Sequence, residues 1–188
     1  MSNLILDVGQ AIELKLAFRR AGYTNEDIKR LCEGSILTEV RRVLRGEASI
    51  ERSTHIIDCD AQPFVLDGWR TEAHQKGGQF EWGFAKVSLY LDDGQLNGKH
   101  IEGSKLRKKL KDQPVLNANV LDYLLVHSHL IPEEWKDQYV FFWGTIYHTA
   151  DDHLAVRCLF WDNGRWGWFG RSFDGGWYDR SSAAVSIG

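Results

Sequence analysis

Asp162-Asn163-Gly164-Arg165 constrains the fold more than any other stretch, because it joins two aromatic, β-rich runs through a two-residue loop. Asn-Gly readily adopts the two positive-φ conformations of a type I′ turn, and that turn matches the right-handed twist of paired strands. So short a loop also fixes register. It sets Asp162 opposite Arg165, Trp161 opposite Trp166, Phe160 opposite Gly167, Leu159 opposite Trp168 and Cys158 opposite Phe169. One face then carries Leu159, Trp161, Trp166 and Trp168, and the other carries Val156, Cys158, Phe160 and Phe169. A hairpin that is apolar on both faces is either covered on both or leaves aromatic surface for a partner.

The run over residues 140–147 adds a third strand before this hairpin, so the C-terminal part reads as an antiparallel β-meander. The N-terminal part reads differently. Apolar residues at helical spacing predict helices over residues 11–21, 25–33 and 36–45, with Gly22, Gly34 and Gly46 as their stops. Thr24 and Asp27 form a variant capping box for the second, and Ser35 opens the third. That third helix is expected to bury Ile36, Leu37, Val40, Val43 and Leu44 and to expose Arg41, Arg42 and Arg45. Between these parts lies a mixed segment. It holds a short strand from His55 to Asp60, a run near Val87 whose alternation slips between Phe84 and Val87 and so marks either a bulge or two separate pieces, helices over 104–111 and 119–126, and a last turn at Pro132. The expected fold class is α+β, in one domain of three segments, 1–46, 47–136 and 137–188.

Composition narrows the function classes. A chain of 188 residues with 43% hydrophobic and 26% charged residues is long enough to bury a core without disulfides or a metal. Its net charge of -3 provides no global field for nucleic acid or an anionic membrane, so any such role rests on a local patch. The 3 cysteines lack a C-x-x-C pair and fit a reducing cytoplasm. No signal peptide or membrane-spanning run is evident, and no cofactor is called for. The P-loop, G-x-G-x-x-G, G-x-S-x-G and H-E-x-x-H patterns are all absent.

Tryptophan is in excess. Five of the 8, namely Trp143, Trp161, Trp166, Trp168 and Trp177, lie beyond residue 142. Trp161, Trp166 and Trp168 are therefore the candidate surface for a protein partner, since large rigid aromatics give contact area at low entropic cost. The competing reading places them in a small second core with Trp177 and Tyr178, under the last 15 residues. Three further clusters compete. Arg41, Arg42 and Arg45, together with the cations Lys105, Arg107, Lys108, Lys109 and Lys111, suggest nucleic-acid binding by a helix-turn-helix-like segment, although the arginines fall at the wrong end of the recognition helix. His55, Asp58 and Asp60 offer an imidazole and paired carboxylates for an enzyme. His148 and His153, with Asp151 and Asp152, have ligand-like spacing but read better as a polar hairpin loop, so no metal site is expected.

Several strings resemble a family of small uncharacterised bacterial proteins, found largely in uncultivated lineages. They are His-Ile-Ile-Asp-Cys-Asp from His55, Lys-Gly-Gly-Gln from Lys76, Pro-Val-Leu-Asn-Ala-Asn-Val-Leu-Asp-Tyr-Leu-Leu from Pro114, Leu-Ile-Pro-Glu-Glu-Trp-Lys from Leu130, Phe-Phe-Trp-Gly-Thr-Ile-Tyr from Phe141 and Val-Arg-Cys-Leu from Val156. The resemblance covers most of residues 10–170 and implies a bacterial origin and no catalytic residue. The favoured expectation is a non-enzymatic binding protein acting through its aromatic sheet.

Overall fold

The computed structural model describes residues 5–50 and 53–187, which divide into two compact units, one ending at Ser53 and the other beginning at Thr54.

The first unit is helical, as expected. α1 spans Val8–Arg20, α2 Asn25–Leu31 and α3 Ile36–Leu44. Asp7 and Gln10 close a capping box on α1, and Thr24 and Asp27 close the expected one on α2. Gly22 at φ 80° and Gly46 at φ 72° turn the chain just beyond α1 and α3. One expectation fails. Ile36, Leu37, Val40 and Leu44 are exposed and Val43 is only half-buried, and none of these three helices buries a described side chain. Helical periodicity fixes which face of a helix is apolar, but it does not supply anything to cover that face.

The second unit is an α+β body. Its elements are β1 His55–Asp58, β2 Arg70–His74, β3 Gln79–Trp82, β4 Val87–Tyr90, β5 Ile101–Glu102, α4 Gly103–Lys109, α5 Ala118–Val126, β6 Tyr139–Phe141, β7 Thr145–His148, β8 Leu154–Asp162, β9 Arg165–Ser172, β10 Gly176–Trp177 and β11 Ser181–Ser186. The β8–β9 register is the one that Asn163-Gly164 dictates, from Asp162 opposite Arg165 back to Cys158 opposite Phe169. Asn163 at φ 48° and Gly164 at φ 81° make the turn. The slip after Phe84 separates two strands, β3 pairing with β1 and β4 joining the main sheet.

The expected third strand is broken. β6 and β7 pair with different stretches of one edge of β8, while β9 takes the other edge. Beyond the break the sheet forks, with β2 adding to β7 and β11 adding to β6 and then to β4. Because β11 runs parallel to β6, the sheet is mixed where a purely antiparallel meander was expected. The break holds Gly144, where a Cβ would come within 2.9 Å of the Asn117 backbone, so the start of α5 seats directly on it.

Both faces of the sheet are covered, which accounts for a hairpin apolar on both sides. One core joins Leu159, Val140, Phe142 and Ala184 to α5 and to Ile57, Trp82 and Trp135. The other joins Val156, Cys158, Phe141 and Ala183 to Leu106, Leu110, Trp143 and Trp177. Trp177 is 0% exposed, with its ring centroid 4.4 Å from that of Phe141 and 4.8 Å from that of Trp143, so it belongs to the core. No helix among the described residues is long and apolar enough to cross a membrane.

Cysteine chemistry follows from this packing. Cys59 and Cys158 are buried and Cys32 is exposed. Burial, reinforced by Asp58 and Asp60, pushes the Cys59 thiol up to about 11, and burial also raises Cys158. At pH 8 a chromogenic disulfide reagent is expected to titrate Cys32 rapidly and the other two only on unfolding. Two or more fast thiols in the native protein would contradict the packing.

Candidate functional site: an aromatic groove over a buried Arg–Asp pair

The second residue in from Leu159 on the same face of β8 is Arg157, and this strand position organises the site. Arg157 is 1% exposed and stands opposite Gly170 of β9, so no side chain of β9 faces it directly across the ladder. Its guanidinium carbon lies 4.0 Å from the centroid of Trp168, the diagonal neighbour on β9, and 5.3 Å from that of Phe64 in the loop after β1. Both contacts are cation–π arrangements in a site largely shielded from water. Two of its nitrogens donate to the Asp122 carboxylate of α5, at 2.9 and 2.5 Å. This bidentate fork is what the planar guanidinium does best. Its Nε, by contrast, is buried with no partner among the described residues.

The Tyr147 hydroxyl, donating to the Phe64 carbonyl at 3.1 Å, ties this loop to the sheet. Burial raises its phenol, partly offset by the neighbouring Arg157 guanidinium. Above the Arg157–Asp122 pair opens a groove of about 770 Å³, between α5 and the β1 segment. Its walls are mainly apolar, from Ile56, Phe64, Tyr123, Val126 and Trp168, with Asp58 and Asn119 at the polar margin. Ile56, Phe64 and Val126 are 47%, 52% and 78% exposed, a cluster of large apolar side chains that this unit leaves in water.

The three tryptophans singled out from sequence are separated by this geometry. All are half-buried. Trp168 forms part of the groove. Trp166 packs against the α5-side core and holds Trp161 edge-on at 5.2 Å, and the Lys136 ammonium sits 4.2 Å above the Trp161 ring. Arg157, Phe64 and Asp122 escaped the sequence reading. The available signal was an arginine in the apolar run Leu-Ala-Val-Arg-Cys-Leu-Phe-Trp, on the same side as Leu159 and Trp161, since a charge there must be paired.

The other clusters disperse. β1 ends at Asp58, so Asp58 and Asp60 do not share a strand face. Both are exposed, and their carboxylates accept backbone N–H groups from Asp60 and Gly78, which makes them turn-closing groups. His55 instead meets the Tyr123 hydroxyl at 2.9 Å, and its ring lies 5.8 Å from that of His127 and 6.3 Å from that of His129. His148 Nε2 bonds the Glu72 carboxylate at 3.0 Å, whereas His153 lies 2.8 Å from Asp174. Among the described residues no three His, Cys, Asp or Glu side chains are grouped to hold a metal ion. Of the cations proposed for nucleic acid, Arg42 pairs with Glu39, Arg45 with Glu47, Lys105 with Glu102 and Lys109 with Asp92. Arg41 and Lys108 have no ion-pair partner among the described residues.

Fold and site together define an α+β protein with a forked mixed sheet and an aromatic groove over a buried ion pair. No protein-family model, curated protein or solved structure matches the chain.

Proposed function

We propose that the protein is a non-enzymatic binding protein whose contact site is the groove over Arg157 and Trp168. The observation that carries this reading is the exposed apolar set Ile56, Phe64 and Val126 around a concave aromatic floor, where ordinary core construction would have covered them. The partner class follows from charge. Arg157 is already neutralised by Asp122, no other Lys or Arg among the described residues lines the groove, and Asp58 stands at its margin. Such a groove favours a neutral or cationic occupant over an anion. A segment of a partner protein with a large apolar side chain beside a Lys or Arg fits this chemistry.

Selection of displayed random peptides on the immobilised protein tests the reading. Enrichment of sequences pairing an aromatic or aliphatic residue with Lys or Arg is expected. Phe64→Ser should weaken the selected peptides about tenfold or more, within the range for losing one aromatic contact. Asp58→Asn should weaken only the cationic ones. The proposal fails if no family of peptides is enriched, or if those enriched bind the Phe64→Ser protein as well as the wild type.

A further inference from the structure

A second site lies at α4, where one side of the helix and of the turn after it carries Ser104, Arg107, Lys108 and Lys111. The spacing i, i+3, i+4, i+7 puts these four side chains in one stripe, opposite Leu106 and Leu110, which enter the core. The cations of this segment fall into two groups. Lys105 pairs with Glu102 at 3.2 Å, and Lys109 holds both oxygens of the buried Asp92 at 2.8 and 2.9 Å. Burial pushes the Asp92 carboxyl up, but the Lys109 ammonium and the Gly94 amide outweigh it and hold it below the usual carboxylate range. Lys109 is thus a structural clamp. Arg107, Lys108 and Lys111 have no carboxylate within ion-pair distance among the described residues.

The aliphatic stems of these three unpaired residues, with Leu154 and Phe173, border a mainly apolar hollow of about 490 Å³. The Arg107 guanidinium lies 6.0 Å from the Phe173 ring centroid, at the outer limit of a cation–π contact. Three unpaired cations whose stems line one apolar recess favour an anion at its mouth, and a recess with an aromatic wall accepts a flat body. We propose that this hollow binds a free organic phosphate monoester, its dianionic head held by Arg107, Lys108 and Lys111 and its apolar body resting on Leu154 and Phe173. Three cations favour a dianion over a carboxylate, and the bounded volume favours a small molecule over a flat lipid surface. The site is separate from the groove over Arg157 and does not depend on it.

Titration calorimetry of the whole chain with 1-naphthyl phosphate tests this. Saturable 1:1 binding is expected, at least tenfold tighter than binding of inorganic phosphate and at least tenfold weaker in an Arg107→Gln/Lys111→Gln variant of unchanged Tm. Lys105→Gln, removing a cation of the same helix that points elsewhere, should leave it within about twofold. Absence of saturable binding overturns the proposal, as does equal binding to the double variant. Co-sedimentation with phosphatidic acid vesicles in the absence of naphthyl phosphate binding would assign the patch to a membrane surface and also overturn it.

Discussion

Arg157→Ala is expected to lower the unfolding free energy by about 3 kcal/mol, read from urea denaturation. Breaking a buried ion pair costs about 3–5 kcal/mol, because the partner is left charged and desolvated. The lower end applies here, since the Asp122 side chain keeps 33% of its exposure and can recover some hydration. Truncation also removes the guanidinium that lies against both Trp168 and Phe64, so the floor of the groove loses its support. Arg157→Met/Asp122→Leu should regain most of the stability, because apolar residues of similar bulk often replace a buried pair without loss. The same double variant should still lose peptide binding, which separates the structural role of the pair from its role in shaping the groove. A loss below about 1 kcal/mol for the single variant would show that the guanidinium is not held as described.

Asn117→Ala is expected to cost about as much, by a different route. Asn117 is 3% exposed and precedes α5. Its side-chain oxygen accepts the Asn119 amide, and its nitrogen donates to the carbonyls of Cys59 at 2.8 Å and Gln75 at 3.0 Å. Alanine there removes a helix cap, worth about 1 kcal/mol, and takes a donor from the Gln75 carbonyl and one of two ring or amide partners from that of Cys59, at about 1–2 kcal/mol together. The nearby Asn119 provides the control. It also donates to two carbonyls, of Asp58 and Ala61, but it is only half-buried and those bonds are open to water, which replaces it, so Asn119→Ala should cost under about 1 kcal/mol. Equal effects at the two positions would contradict the assignment.

The difference between what could and could not be read from sequence follows interaction range. The β8–β9 register and the Thr24 cap depend on neighbours a few residues apart, and both were legible; the slip between β3 and β4 was visible too, but not whether it marked a bulge or a break. The broken strand was not. Residues 140–147 look like one β-rich run, and only the arrival of Asn117 against Gly144 shows why pairing stops. The short, weakly patterned β11, Ser-Ser-Ala-Ala-Val-Ser, gives little hydrophobic signal because both its faces are buried and small residues suit the space. The candidate site was half legible. Trp168 was found from aromatic excess, but its partners come from residues 64, 122 and 157, which no local spacing connects.

The fork in the sheet also sets an order of events for folding. β4 and β6 do not pair with each other; both pair with β11, which lies far downstream of β4 in the chain. The β8–β9 hairpin can close on its own within microseconds, but the β4 arm of the sheet waits for a contact spanning residues 87–186. Until then Val87, Leu89, Val140 and Phe141 sit on strands with open edges, the state in which a β protein is most exposed to pairing with a neighbouring chain. The small, weakly patterned β11 is therefore the strand whose docking covers these particular edges.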